Sequence, residues 1–563
     1  MAIDGGSKWS KPASSGTVLP HATTMKKNTY AIIPAAGKPT NKILTHTNLP
    51  DTMLPINGKP VIGYILEDIK ERGIEKVIIV LNEADDHTEK YVMQKFGTKL
   101  ALTVVRNTAY ERGVGYSILQ AAEHVVKADG VLVYLGDTIY KGALSLDEDF
   151  LVTAPTYESS DKWCFVETSD HGLTFINKPK AYTGDGHVLA GLYYFSNATD
   201  FHQALAEAEQ SEDRLEIFHL LERYQKPFTL IPAELYYDCG NIENYYKAKI
   251  DFLRTRSFNT VHYNDLYGSI TKSGDNAKKL QDEIAWYKNI PEPLKIFSPR
   301  LIASSSTAEK TDYTLEYYGY QSLADYFAFN HFDDRLWQLI IDRLFDILGE
   351  FKKFQTSLPF THYDEMYRKK TINRIEALTK DETWANLFTA ETITINGVLY
   401  TGWPTFAKQL ETITAKLYDQ SPMTFLHGDL CLSNILFDPH SRIFKFIDPR
   451  GNFGESSVYG DHHYDIAKLR HSLASRYDFI VSDLFIAQNT SEGFIFETFH
   501  EAAHERISAY FDTALVAHGY NLQTIRTIEA LLFISMLPLH SDSPSRQRAM
   551  FLTGIKLLNT LDL

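Results

Sequence analysis

From residue 29 the chain alternates two hydrophobic patterns. "YAIIPAAG" (30–37), "KVIIVL" (76–81) and "VLVYLGD" (131–137) are short, almost wholly apolar runs, the mark of strands buried on both faces. Between them, "PVIGYILEDIKERG" (60–73) has the apolar stripe of an amphipathic helix and a glycine to end it. "GYSILQAAEHVVKADG" (115–130) reads as a second helix. Repeated βα units with apolar strands predict an α/β domain built on a doubly wound, Rossmann-like, mostly parallel sheet covered on both sides. Such sheets collect ligands at the carboxyl ends of their strands, where Gly37 and Asp137 lie.

The pattern changes near Ser257. "LYGSITKSG" (266–274) reads as strands with a turn, "NAKKLQDEIAWYKNI" (276–290) as a helix, and "YTLEYYGYQSLADYF" (313–327) as a strand running through a linker into a helix. From about 331 the chain is mainly helical, interrupted by a loop-and-hairpin region at 421–460. The expected division is a flexible leader over 1–28, an α/β domain over 29–254, a small lobe with its hinge over 257–330, and a large helical lobe over 331–563. No long linker separates the two halves, so they are expected to pack together.

A chain of 563 residues is too long for one core, which agrees with several domains. A formal net charge of −15 argues against a nucleic-acid-binding surface, which needs a basic footprint. Cys164, Cys239 and Cys431 lack metal-ligand spacing, so neither a zinc site nor a disulfide framework is expected, and a reducing cytoplasm fits. No uninterrupted apolar run approaches the roughly 18 residues that span a bilayer. The leader has no apolar core of a secretory signal, and Met25 opens "MKKNTYAIIPAAG" like a natural start.

Candidate chemistry is densest in "FLHGDLCLSNILFD" (425–438), where an Asp and an Asn stand five residues apart. Phosphoryl transfer from ATP needs a carboxylate to orient the attacking hydroxyl and an oxygen ligand for Mg²⁺. Asp429 suits the first role and Asn434 the second. "ILFDPHSRIFKFID" (435–448) reads as a hairpin that returns Asp448 beside Asn434 as a second metal ligand. In the first half, the small residues of "AIIPAAGKPTNKIL" around Gly37 let backbone N–H groups approach phosphates. Asp137 and Asp238, the latter just ahead of a helix in "YYDCGNIENYYKAK", could share one Mg²⁺ and organise a triphosphate.

These motifs carry two resemblances. Residues 257–563 resemble the aminoglycoside phosphotransferase and choline kinase superfamily, which has "HGD" in its catalytic loop. The resemblance implies a bilobal, protein-kinase-like α+β domain. "YGDHHYDIAKL" (459–469) extends it, with Asp465 matching an acid that buttresses the catalytic loop. Lys272 stands where a lysine contacting ATP phosphates is expected, Glu283 would be its ion-pair partner, and "LEYYG", beginning with Leu315 and Glu316, resembles the hinge that reads adenine.

Residues 29–254 resemble the sugar-phosphate nucleotidyltransferases through "PAAGKP", "LPINGKPVIGYIL", "RGVGYSILQAA", "LGD", "INKPK", "AGLYYFSN" and "DCGNIENYYKA" in the family's order. By this resemblance Asp137 and Asp238 are metal ligands, Gly113 and Gly115 read the base, and Lys178 grips the substrate phosphate. The family's glycine loop is altered: Pro39 and Asn41 intrude and Lys42 is the nearest catalytic cation. Asp51 replaces a cation, and Asn177 replaces a Glu. Lys38, Lys42 and Lys59 are the cations that could compensate.

Together the resemblances imply a bifunctional enzyme with Mg²⁺ as cofactor. The kinase phosphorylates a small hydroxyl compound, a sugar in the first instance, with ATP. The N-terminal domain then joins that phosphate to a second NTP (CTP, UTP or dTTP), and the product feeds surface polysaccharide synthesis. Choline, another amino alcohol or a polyol is the alternative acceptor. A reading of another class makes the N-terminal domain a nucleotide-binding regulator without turnover.

Overall fold

The computed structural model of the chain describes residues 28–39, 49–155, 160–170, 172–253, 260–274, 276–307, 310–329, 332–420, 422–455 and 458–562. Apart from Asn28, the leader lies outside the described residues, as do Asn41 and Lys42.

In the first half the apolar runs become four parallel strands, in the order Gly130–Tyr134, Thr29–Ala35, Lys76–Asn82 and Ala101–Asn107. Successive residues of a strand face opposite sides, yet Ile32 and Ile33 are both fully buried. Ile33 joins a core with Ile62, Ile65 and Leu66 of helix Val61–Glu71, and Ile32 joins a second with Ile118 and Ala121 of helix Val114–Ala122. The sheet is thus covered on both faces. It also carries an antiparallel wing: His187–Phe195 pairs with Gly130–Tyr134, and Cys164–Ser169 and Gly172–Asn177 continue beyond it. A separate two-stranded ribbon, Thr138–Lys141 against Leu235–Asp238, sets Asp238 opposite Thr138.

The second half opens with a four-stranded antiparallel sheet in the order Thr260–Asn264, Ser269–Ser273, Thr311–Glu316 and Leu301–Ser306. Helix Ala277–Asn289 packs on it, capped by Asn276, whose side chain accepts the Lys279 N–H. Beyond Asp334 the lobe is mainly helical. Its hairpin pairs Ile435–Asp438 with Ile443–Phe446, with Arg442 held in the left-handed region at φ 55° in the turn. Leu522–His540 is apolar and long enough to cross a bilayer, but 67% of its most apolar window is buried, and it packs against helices His462–Leu473 and Pro544–Leu558 as a core helix.

The halves pack directly. Helix Ile242–Leu253 of the first half lies on the segment after Glu316. Its Tyr245 hydroxyl donates to Pro55 O (2.7 Å) and accepts from Gln321 Nε2 (2.8 Å). Lys249 Nζ donates to Gly319 O (3.0 Å).

Candidate active sites

The 421–460 region is organised around His427. Its backbone N–H and that of Gly428 donate to the Asp465 carboxylate at 2.7 and 2.8 Å, so the helix His462–Leu473 holds the loop through one buried side chain. Gly428 sits at φ 78°, a conformation glycine adopts without strain. Burial lowers His427 to about 4, so its ring is neutral near pH 7. Nδ1 accepts the Asp429 N–H (3.3 Å), which leaves Nε2 to donate to Ile447 O (3.0 Å). One ring therefore ties the loop of Asp429 to the strand end of Asp448.

Asn434 closes the same loop. Its Nδ2 donates to Asp429 O (2.8 Å) and Oδ2 (3.2 Å), which turns its amide oxygen away from Asp429. Ile447 N–H donates to Asn434 O at 2.9 Å, so the hairpin returns Asp448 beside Asn434. Asp448 sits at φ 54° and accepts from Lys272 Nζ at 3.0 Å. The same ammonium is 2.9 Å from Glu283 Oε2, on a side chain only 1% exposed. Burial alone would lower Lys272, but Asp448 and Glu283 outweigh it and hold the amine above its ordinary value. The small lobe, metal loop and catalytic loop thus meet in one connected cluster. The donors Asn434 Oδ1 and the Asp448 carboxylate are both oxygens, the chemistry Mg²⁺ requires.

Glu316 ends the strand Thr311–Glu316. Its carboxylate is engaged by Arg300 (3.1 Å) and the Tyr318 hydroxyl (3.3 Å), on the segment expected as the hinge. There the Tyr317 N–H is already committed to Gly268 O (2.9 Å).

Sequence reasoning missed Lys468. It follows Asp465 by one helical turn, and its Nζ lies 2.7 Å from Asp429 Oδ1. Enclosure by protein would raise the Asp429 carboxyl, but Lys468 outweighs that and brings it down to about 2. Even so, 40% of the Asp429 side chain remains open to the cleft. The available signal was a lysine one helical turn beyond Asp465 in "YGDHHYDIAKL".

In the first half, Asp137 and Asp238 converge. A Cβ built on Gly240 would lie 2.9 Å from Asp137 Oδ2 and 3.1 Å from Asp238 Oδ1. Cys239 N–H donates to the Asp137 backbone carbonyl (2.7 Å), which ties the two strand ends together, and Gly240 N–H donates to Asp238 Oδ1 (3.0 Å), which fixes that side chain. Burial raises the Asp137 carboxyl, a state that a divalent cation shared with Asp238 would relieve. Gly37 lies at the end of strand Thr29–Ala35 with open space where a Cβ would be.

Gly113 and Gly115 have a packing reason of their own. A Cβ on either would meet Leu215 O, at 2.5 and 2.7 Å, and Gly113 sits at φ 98°. Lys178 is exposed, at φ 46° on the turn after Gly172–Asn177, with its N–H on Trp163 O (2.8 Å). Of the cations expected to compensate for Asp51, Lys38 pairs with Glu111 (3.7 Å) and Lys59 with Glu67, while Lys42 lies outside the described residues.

Comparison with known proteins divides the chain in the same way. The family model of MobA-like NTP transferase domains matches residues 32–226, and that of the phosphotransferase enzyme family matches 254–499. UTP–glucose-1-phosphate uridylyltransferase of Bacillus subtilis is 33% identical over 211 residues, 31% of this chain and 72% of that protein. UTP–glucose-1-phosphate uridylyltransferase 2 of Staphylococcus saprophyticus is 23% identical over 269 residues, 40% of this chain and 93% of that protein. Among solved structures, the inositol-1-phosphate CTP transferase of T. maritima aligns with 17% identity and TM-score 0.34, covering 40% of this chain and 96% of its own. A UDP-glucose pyrophosphorylase in complex with UDP-glucose aligns with 21% identity and TM-score 0.34, covering 41% and 100%.

Proposed function

The chain belongs to the nucleotidyltransferases in its first half and to the phosphotransferase enzyme family in its second, which makes it a bifunctional enzyme, and on that premise we propose that the two reactions run in sequence on one small molecule. The second half transfers the γ-phosphoryl group of ATP to a hydroxyl. The first half condenses that phosphate with an NTP, forming a nucleotide-linked product and releasing pyrophosphate. A sugar is the favoured acceptor, in keeping with the glucose 1-phosphate named for the uridylyltransferase relatives. A cytoplasmic role in supplying activated donors for surface polysaccharide belongs to the same proposal.

The observation that carries this reading is the joining of Lys272, Glu283, Asp448, Asn434 and Asp429 into one connected cluster. In the proposed kinase step Asp429 orients the acceptor hydroxyl. As the new P–O bond forms and the bond to the ADP oxygen breaks, the hydroxyl proton passes to the Asp429 carboxylate and on to solvent. A group near 2 is a weak base, so its contribution is mainly orientation until the phosphoryl group has largely transferred. Lys272 steadies the nucleotide phosphates, and Asn434 and Asp448 would hold Mg²⁺, which neutralises developing charge when bound. In the first half Asp137 and Asp238 would hold the second Mg²⁺, with Lys178 meeting the incoming phosphate.

A second reading has one observation in its favour. Asp51 adds to burial and to the Asp238 and Asp137 charges in raising the Cys239 thiol, so a third carboxylate acts in the neighbourhood of Asp137 and Asp238. Repulsion of a triphosphate there would leave the first half a nucleotide-binding regulator. Pyrophosphate release separates the two. With phosphorylated acceptor and each NTP in turn, the full-length protein should release it, and Asp137→Ala should stop this while sparing ATP-dependent phosphorylation. An inert first half that stays inert after Asp51→Lys favours the regulator.

A further inference from the structure

The wall of the cleft beside Asp429 is cationic. Lys370 and Arg374 are one helical turn apart on helix Lys370–Leu378, so they share a face. Lys370 Nζ stands 5.6 Å from the centre of the Tyr464 ring. Arg450, two residues past Asp448, donates from Nη1 to the Tyr464 hydroxyl at 3.2 Å. Its Cβ would lie 2.8 Å from a Cβ on Gly428, so the side chain crosses directly over the residue before Asp429. Lys468, on the same helix as Tyr464 and one turn along, completes the group.

Four basic side chains therefore gather about Tyr464 and the Asp429 loop. Among the described residues, Asp429 is the sole carboxylate that pairs with any of them, and it pairs with Lys468. Arg374 spends one nitrogen on Ser535 O (2.9 Å) and Arg450 one on Asn452 Oδ1 (3.1 Å), both neutral acceptors. Burial, then the charges of Arg450, Arg374 and Lys468, push the Lys370 amine well below its ordinary value. Like charges gathered in a poorly solvated wall are costly without a counter-charge. They also oppose the trend of a chain whose net charge is −15. The arrangement becomes favourable when an anion enters, and a focused positive cleft draws anions in.

The nucleotide phosphates do not account for that anion. Lys272, which reaches Asp448, comes from the small lobe, whereas Lys370 and Arg374 come from a large-lobe helix beside Tyr464 and Arg450, next to the Asp429 loop where the kinase reading seats the attacking hydroxyl. Resting on the kinase reading above, we propose that the acceptor phosphorylated by the second half is itself an anion, a hydroxyl compound already carrying a phosphate or carboxylate group, which Lys370, Arg374 and Arg450 hold while Asp429 orients its free hydroxyl. The step is balanced as for any kinase: the acceptor oxygen gains the γ-phosphoryl group, the bond to the ADP oxygen breaks, and the hydroxyl proton leaves through Asp429. A neutral polyol would leave the cations uncompensated, and choline would be repelled.

The test uses the full-length protein, Mg-ATP and acceptors paired by charge: glucose with glucose 6-phosphate and with glucuronate, glycerol with glycerol 3-phosphate and with glycerate, and choline as the cationic arm. ADP formation gives turnover, and a thermal shift with Mg-ADP present gives binding. Phosphate-bearing and carboxylate-bearing arms tell the two anions apart. At least one anionic acceptor should be turned over or bound in preference to its neutral partner. Loss of one charged contact is worth about 10- to 100-fold, so Lys370→Met and Arg374→Met should raise KM for that acceptor (or its Kd in the thermal assay) by about that factor. KM for ATP should stay within about twofold, and Arg374→Lys should recover part of the loss. Preference for a neutral acceptor or choline, a rise in KM for ATP instead, or no response to any anion overturns the inference while leaving the kinase reading in place. Failure to bind Mg-ATP at all overturns the kinase reading, and this inference with it.

Discussion

At the scale of single residues, the electrostatics of Asp429 set the behaviour of the proposed kinase. Its carboxylate is held near 2 because the Lys468 ammonium outweighs the effect of enclosure. Asp429→Asn keeps the shape but removes the charge that orients the hydroxyl and receives its proton. Phosphorylation should fall by about 10²- to 10⁴-fold, with pyrophosphate release by the first half unchanged; near-wild-type phosphorylation would remove Asp429 from the mechanism. Lys468→Met tests the pairing itself. Without the ammonium, enclosure is opposed only by His427 and Arg450, and the carboxyl rises from about 2 toward its ordinary range. The acid limb of kcat/KM for phosphorylation should therefore move to higher pH in the variant. An acid limb that stays in place would mean that Lys468 does not tune this group.

At the scale of elements, the cleft is made by close approach of backbones. Gly451, three residues past Asp448, sits at φ 73°, and a Cβ there would lie 2.0 Å from Asp282 O, the residue before Glu283. Neither backbone can yield without moving the helix Ala277–Asn289 away from the metal loop, which would part Glu283 and Lys272 from Asp448. Gly451→Ala should lower stability by about 1–3 kcal/mol and cut phosphorylation, with nucleotidyl transfer little affected, as read by thermal melting and the two activity assays. Gly240→Ala is its counterpart in the first half: crowding Asp137 and Asp238, it should suppress pyrophosphate release and spare the kinase.

The same scale explains what the sequence made legible. The catalytic and metal loops are short, and their geometry follows from a hairpin of alternating residues, so Asp429, Asn434 and Asp448 could be placed together from spacing alone. The Lys272–Glu283 pair followed from the resemblance to the small-molecule kinases. The cationic wall did not. Lys370 and Arg374 stand on a helix whose charged residues look like an ordinary solvated face until tertiary packing brings Arg450 and Tyr464 against it. The antiparallel wing of the first sheet was hidden for a similar reason, because pairing between distant strands leaves no local pattern.

At the scale of the whole molecule, the two halves are tied by the helix that leaves the Asp238 site. Helix Ile242–Leu253 begins four residues past Asp238 and carries Lys249 to the carbonyls of Gly319 (3.0 Å) and Tyr320 (3.4 Å), just beyond Glu316. Lys249 is 7% exposed. Burial, only partly opposed by Asp325, lowers its amine to about 8 from the 10.5 of a free lysine. Below about pH 8 both folded and unfolded chains carry the proton, and the fold bears the full cost of a buried charge, roughly 3 kcal/mol from the size of the shift. Between about 8 and 10.5 the unfolded chain binds the extra proton and the folded one does not, so stability rises with pH across that window. Lys95, which donates to Ser482 O across the halves and is likewise lowered to about 8 by burial, follows the same sign. Comparing wild type with Lys249→Met cancels Lys95 and isolates Lys249. Methionine keeps most of the apolar stem but leaves the two carbonyls without their donor. Melting both proteins from pH 7 to 10.5 should show the difference shifting in favour of the wild type as pH rises. A difference that stays flat would mean that Lys249 keeps its proton against the carbonyls, and that the contact between the halves rests on a charged lysine.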